Sequence, residues 1–341
     1  MARYTKPWLS IEQQVARLRD HGLLIPDEAE CVAVLSAVGY YRLSGYLYPF
    51  RESEAYTDET GRERVRVLST YRPGTNLQAV FQLIAFDRAL RLLVLEATEH
   101  IEVSLRMRLG YVLGESSAFA HLEYDTFLTS FTDTDVPQET TETLLHVAQS
   151  LFPGGFRSKH QAWIDRVEER RRSASDESFV SHFARQYDNQ LPIWALTEIL
   201  EFGHLSRLYG GLSPQFAIPI AEAYMVPNKK LMLSWLASLN YTRNVAAHHA
   251  RLFNRKLQSA PARPKRGAIP VLDHLTSAAM PKTFGVYSIL AVMAYLLKFI
   301  QPTINWSSRL VELAESFPEI EGMDLGVVGF PPNWREEPLW A

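Results

Sequence analysis

From Leu77 to about Leu113 the chain repeats apolar residues at steps of three and four: Leu77, Val80, Phe81 and Ile84, then Leu92, Leu95, Ile101, Leu105 and Leu109. That period sets them on one face of a long helix. Thr75 is placed to cap its start and Gly114 to end it. The face must be covered along its length, so the chain is expected to be mainly α. Asp87 with Arg91 and Glu102 with Arg106 are four apart, the spacing of ion pairs along a helix surface. Such pairs are worth little in solvent.

Ahead of this helix, Ile11, Val15 and Leu18 mark an amphipathic helix with Ser10 as its cap and Gly22 past its end. A second helix runs from Asp27 to about Val38 on Val32, Leu35 and Val38. Neither has a basic outer face, so the pair reads as a helical hairpin packed on the main body rather than as a DNA-reading unit. Residues 39–51 follow, with four tyrosines, Phe50, Arg42 and Arg51. These types can stack on bases and grip phosphates, although aromatic side chains more often serve packing. Thr60-Gly61, followed by alternating Arg64-Val65-Arg66-Val67, predicts a small β-hairpin within 57–68, and Pro73-Gly74 closes the segment.

Past the long helix, residues 114–160 read as polar loop and short helices, with Pro153-Gly154-Gly155 among them. Arg166, Arg170, Arg171 and Arg172 alternate with acids as on a solvated helix surface. Leu191-Pro192-Ile193-Trp194 opens a helix reaching Leu208, with Gly210-Gly211 after it. Glu201 and His204 are three apart, but no second such pair accompanies them, so no metal is expected. Short helices are expected from Ser213 to Met225 and from Lys229 to Leu239. Residues 259–270 form a loop carrying Arg263, Lys265 and Arg266, either a mobile RNA guide or a solvated connector. An apolar helix from Thr283 to Ile300 completes the bundle, and a last helix near 307–315 precedes a Trp-bearing arm.

Composition sets limits. The 341 residues are 47% hydrophobic and 21% charged, with a net charge of −3. A protein holding RNA over its whole surface would be more basic, so any such contact must be local. Cys31 is the single cysteine, which excludes a disulfide framework or a multi-cysteine zinc site and suits a reducing cytoplasm. No apolar leader opens the chain. The run Phe284 to Ile300 holds Tyr287, Tyr295 and Lys298, and reads as a buried helix rather than a membrane span.

The densest chemistry lies in Arg243-Asn244-Val245-Ala246-Ala247-His248-His249-Ala250-Arg251-Leu252-Phe253-Asn254-Arg255. Guanidiniums hold phosphates by paired hydrogen bonds, and imidazoles exchange protons near neutral pH. The absence of acids suits an anionic ligand and argues against a carboxylate-held metal. On a continuous helix Asn244, His248, Arg251 and Arg255 share one polar stripe. Arg243 and His248 are five apart, about 140° around, and do not face each other. A new helix starting at Asn240-Tyr241-Thr242 would relax this and aim its amides at a phosphate beside Arg243.

This string resembles the signature of abortive-infection proteins of the AbiD/AbiF type, within the HEPN superfamily. Gly39-Tyr40-Tyr41-Arg42-Leu43-Ser44-Gly45-Tyr46, Phe86-Asp87-Arg88 with Leu90-Arg91, Ile101-Glu102 with Arg106, and Leu191-Pro192-Ile193-Trp194 are similar to segments of that family. So is Phe202-Gly203 with Leu205-Ser206 and Leu208-Tyr209. The resemblance implies a HEPN-like helical bundle with an N-terminal helical module and a small β-hairpin insertion. The corresponding divisions are an accessory module at 1–74, a catalytic core at 75–300 and a C-terminal helix and arm at 301–341.

It also implies a metal-independent, cofactor-free endoribonuclease of phage defence. Arg243 would hold the phosphate, Asn244 would position Arg243, the phosphate or His248 by hydrogen bonding, and His248 would be the acid or base. His249 also fits the looser spacing of the motif, which leaves the choice between the two histidines open. Glu102 is the candidate carboxylate to orient Arg243. Arg42, Arg251, Arg255, Arg263, Lys265 and Arg266 are candidate RNA contacts. HEPN nucleases usually build a composite site across a homodimer, so the expected partners are RNA, a second copy, and a regulatory RNA or antitoxin, with no membrane. The competing readings are a HEPN protein that binds RNA or a partner without cutting, and a metal hydrolase using His248 and His249.

Overall fold

The computed structural model describes residues 3, 5, 7–134, 157–281 and 285–341. As expected, it is a mainly α bundle with one small hairpin. Its spine is α4, Leu77–Ser116, a helix of 40 residues and about 60 Å. Three α-helices precede it: α1 (Ile11–Asp20), α2 (Glu28–Val38) and α3 (Tyr40–Leu47). Ser10 closes α1 with a capping box, accepting from the Gln13 amide while Gln13 accepts from its own. Asp27 caps α2. Strands β1 (Arg51–Thr57) and β2 (Glu63–Tyr71) pair antiparallel, with Ala55 opposite Val65. This hairpin is exposed along most of its length, and Asp58 ties its tip to the amides of Thr60 and Arg62.

Helix α4 departs from expectation at both ends. Asn76, not Thr75, caps it, accepting from the Ala79 amide at 2.8 Å, while the Thr75 hydroxyl donates to the Arg72 carbonyl. Gly114 lies inside the helix rather than past it. It serves packing: a Cβ at Gly114 would stand 2.8 Å from the Trp194 ring, and one at Gly110 only 2.9 Å from the Trp194 Cα. These glycines let the segment that carries Trp194 press against the spine.

Beyond α4 come α5 (Thr129–Thr132), α6 (Lys159–Ser173), α7 (Ser178–Gln186), α8 (Ile193–Ile199), α9 (Phe202–Gly211), α10 (Pro214–Glu222) and α11 (Lys229–Ala247). The single helix expected from Leu191 to Leu208 is two, because Leu200 and Glu201 are extended. The carbonyls released by the break are taken by guanidiniums: Arg170 Nε donates to Ile199 and Arg106 Nη2 to Leu200. Pro153-Gly154-Gly155 and the expected helix start at Thr283 lie outside the described residues.

Helix α12 (Tyr287–Ile300) is buried from Tyr287 to Leu297 and fills the centre of the bundle. Helix α13 (Trp306–Glu315) matches the expectation near 307–315, and Trp306 donates to the Leu93 carbonyl of the spine. The arm is packed: Trp334 and Trp340 are buried, and Trp340 donates to the Tyr287 hydroxyl. Buried side chains of α1–α3 join those of the bundle in one apolar cluster. Among the described residues no helix is long and apolar enough to cross a membrane.

Candidate nucleic-acid site

Asn228 caps α11, which then runs unbroken through Asn240-Tyr241-Thr242. No helix begins at the motif, so no N-terminal amides point at Arg243. Thr242 is helical and buried, and its hydroxyl is satisfied by donating back to the Ser238 carbonyl. The helix instead ends within the motif, at Ala247. The polar stripe expected from Asn244 to Arg255 is therefore broken, since Arg251 and Arg255 lie past the helix on a separate loop.

The ending is a Schellman motif. The His249 amide donates to Ala246 and the Ala250 amide reaches back to Val245. His249 occupies the left-handed position, at φ 57°, where glycine is usual. His248 is the cap residue, and both imidazoles are exposed. A non-glycine residue here is strained by about 1–3 kcal/mol. The surroundings hold it: Arg42 of α3 donates to the His249 carbonyl. Arg42 is thus brought to the motif, though one of its donors is spent on the backbone.

The following loop is fastened by Asp87. This carboxylate is fully buried on α4, and its Oδ1 accepts from the amides of Leu252 (2.9 Å) and Phe253 (2.6 Å). Its Oδ2 accepts from the Tyr46 hydroxyl at 2.6 Å and from Arg91. The Asp87–Arg91 pair is therefore not the solvated surface pair its spacing implied. It is buried because α3 and the motif loop close over that face of α4. Tyr46 stacks on Phe253, and its hydroxyl pKa is pushed up to about 12, chiefly by burial and then by the Asp87 charge. Arg251 lies over the Tyr46 ring at 5.8 Å and against Gly45, with its Nη1 buried and lacking a hydrogen-bond partner. Burial above all lowers the Arg251 pKa. Arg255 Nε donates to the Arg251 carbonyl.

Arg243 lines an open cleft of about 420 Å³ with Leu95, Thr98, Glu99, Glu102, Val103 and Arg106. Its Nη1 donates to Asn244 Oδ1 at 3.2 Å. Glu102 does not: its Oε1 pairs with Arg106 at 2.5 Å, one turn along the same helix. Both carboxylate and guanidinium still face the cleft that Arg243 enters. The histidines do not line it.

The third basic group sits apart. Trp235 Nε1 donates to the Ala262 carbonyl and the Ala262 amide to Ser234 Oγ, while Pro261 and Pro264 are buried. This pins the loop to α11 about 20 Å along its axis from His248. Lys265 and Arg266 are exposed beside that anchor, and Arg263 is half-buried. The loop, read from sequence as either a mobile guide or a solvated connector, is anchored to α11.

Sequence reading missed Asp87 and Tyr46 as organisers of the site. The signal was present: both fall in segments already singled out, and the structure joins those segments to the motif at one carboxylate.

The fold and site together define a helical bundle that presents a basic, imidazole-bearing helix end on a buried carboxylate. A family model described as Abi-like protein matches residues 33–254, about two thirds of the chain, and the chain belongs to that family. The match spans α3, Asp87 and the whole loop as far as Asn254. Membership supports a role in abortive infection, a phage-defence response. No curated protein and no solved structure matches the chain.

Proposed function

We propose that this protein is a metal-independent endoribonuclease of phage defence, with a HEPN-type site completed by a second copy of the chain. The observation that carries this reading is a separation. Arg243 enters the cleft on α4, whereas His248 and His249 stand exposed past the end of the same helix. One chain offers a phosphate-holding guanidinium and a proton-carrying imidazole, but not in one cavity. A homodimer bringing the imidazoles of one protomer to the cleft of its partner supplies both.

The reaction starts with the RNA's own 2′-OH. One imidazole takes its proton, and the 2′-oxygen bonds to the adjacent phosphorus. The bond from phosphorus to the 5′-oxygen breaks, and a protonated imidazole delivers a proton to that oxygen. The products are a 2′,3′-cyclic phosphate and a 5′-OH. Arg243 neutralises charge as it grows on the phosphoryl oxygens. Asn244 steadies Arg243 through the hydrogen bond it already makes. His248 is the first candidate for the proton carrier and His249 the second. Glu102, tied to Arg106, acts on the cleft's charge rather than on Arg243 directly. Arg42, Arg251, Arg255, Arg263, Lys265 and Arg266 are the proposed backbone contacts.

An active ribonuclease in the cytoplasm needs restraint, so a regulatory RNA or antitoxin is the further partner proposed. The 1–74, 75–300 and 301–341 divisions are proposed as accessory module, core and arm. If no second copy brings the imidazoles to the cleft, the site stays incomplete, and the second reading is a protein that binds RNA without cutting it. Incubating total RNA in EDTA with the wild type and with an Arg243→Ala/His248→Ala variant decides between them. Cyclic-phosphate and 5′-OH ends from the wild type alone are expected. Tight binding with no new ends would reject the nuclease.

A further inference from the structure

The arginines of α6, expected on a solvated helix surface, are divided by the fold. Arg170 is spent on the Ile199 carbonyl, and Arg171 on Glu168 and Asn189. Arg166 has no hydrogen bond or ion pair among the described residues. It lines a cleft of about 530 Å³ where α5, α6, α9 and α11 converge. Lys159, Ala162 and Arg166 are three and four apart, and so give the cleft one face of α6. Ser206, Arg207 and Gly210 line it from α9. Leu128 and Phe131 beside α5, with Leu233 of α11, supply an apolar wall.

The charge here is one-sided. The lining holds three cations, Lys159, Arg166 and Arg207, and among the described residues no carboxylate. Asp165, next to Arg166 in the chain, is taken up by Arg157 and Gln161. Arg207, like Arg166, makes no hydrogen bond or ion pair among the described residues. Its pKa is lowered, first by burial and then by the Arg166 charge, so two unneutralised guanidiniums stand within reach of each other. Lys159 makes only a long contact, 3.4 Å, with the Ser130 carbonyl. An anion bound between these groups relieves their repulsion and accepts their hydrogen bonds. This cleft shares no residue with that of Arg243, which contains Glu99 and Glu102. Along α11, Leu233 precedes Arg243 by about 15 Å.

Three positive charges in one cleft match consecutive phosphoryl groups better than a lone phosphodiester, which carries one negative charge. The apolar wall beside them suits a flat ring. With no carboxylate lining the cleft to share a divalent cation, the cations must meet the phosphates directly. We propose that this cleft binds a nucleoside triphosphate without a metal ion, with its phosphates among Lys159, Arg166 and Arg207 and its base against Phe131 and Leu233. Such a site operates whether or not the chain cuts RNA.

Calorimetric titration of the full chain in EDTA tests this, with ATP, GTP, inorganic triphosphate and adenosine as probes. ATP or GTP is expected to bind about tenfold more tightly than inorganic triphosphate, and adenosine not measurably. Arg166→Gln and Arg207→Gln are each expected to weaken nucleotide binding by about tenfold or more. Arg172→Gln, on the same helix but outside the cleft, should leave it unchanged. Arg166 and Arg207 are exposed, so the melting temperature of the nucleotide-free protein should not fall in either variant. Absence of binding by both nucleotides overturns the proposal, as does binding indifferent to both substitutions. Inorganic triphosphate binding as tightly as the nucleotides also overturns it, because the wall then takes no ring. Displacement of the nucleotide by an equal concentration of a 2′-O-methylated, 5′-hydroxyl oligonucleotide would reject it in favour of a cleft that follows an RNA backbone.

Discussion

Replacing Asp87 with asparagine tests the centre of the structural argument. The carboxylate is fully buried and accepts four hydrogen bonds, two from the motif loop, one from Tyr46 and one from Arg91. Asparagine keeps one oxygen for the Leu252 and Phe253 amides. It removes the charge that faces Arg91, which is itself buried. Breaking a buried pair from one side costs about 3–5 kcal/mol, because the remaining charge is left uncompensated. Unfolding entropy of about 2.1 cal/mol/K per residue gives about 0.7 kcal/mol/K for a chain of this length. The expected fall in melting temperature is therefore about 4–7 °C, read by thermal unfolding. Hydrogen exchange of the Leu252 and Phe253 amides should quicken in the same variant. Adding Arg91→Met should recover part of the loss, since no charge then stays unpaired. A fall of less than 1 °C, or two losses that simply add, would show that the carboxylate is hydrated and the loop held by other means.

Two further outcomes follow from single residues. His249→Gly relieves the left-handed strain but loosens the unfolded chain, so the net gain is about 0.5–1 kcal/mol and a melting temperature higher by about 1 °C. RNA cleavage should fall if this imidazole carries a proton, and a destabilised variant would mean that the ring is packing rather than presented. The pKa of His121 is pushed down to about 4 by burial and, secondarily, by His160. Between its unfolded value near 6.5 and 4, the unfolded chain takes up a proton that the folded chain refuses, so stability is lost as pH falls through that window, by about 3 kcal/mol. His121→Gln should be less sensitive to acid over pH 6.5 to 4 in denaturant titrations, and an unchanged pH profile would refute the assignment.

Much of the architecture was legible because periodicity reports burial. The steps of three and four in 77–113, the alternation at 64–67 and the apolar run before Ile300 each name an element without reference to the rest of the chain. The motif was harder. Nothing between Arg243 and Arg255 is a glycine or proline, so its spacing continues a helical stripe past the point where the chain turns. The stop is coded by His249, a residue that tolerates the left-handed region less well than glycine and so does not announce it. Asp87 was misread for a related reason. A pair four apart looks the same in solvent and under a lid, and the lid here comes from Leu252 and Phe253, more than 160 residues away. The break at Leu200-Glu201 likewise depends on distant Arg106 and Arg170 rather than on a local breaker.

The knot at Asp87 bears on how this molecule can be taken apart. Tyr46 reaches it from the first fifty residues while Arg42 reaches the neighbouring His249 carbonyl, the carboxylate sits on the spine, and the loop arrives from the far side of the match. A truncation at residue 75 would excise two of the tethers while leaving the histidines in place. The N-terminal segment is then part of what shapes the histidine-bearing helix end, and gene fusions or domain swaps that keep residues 243–255 but discard residues 1–74 would inherit the letters of the motif without its shape.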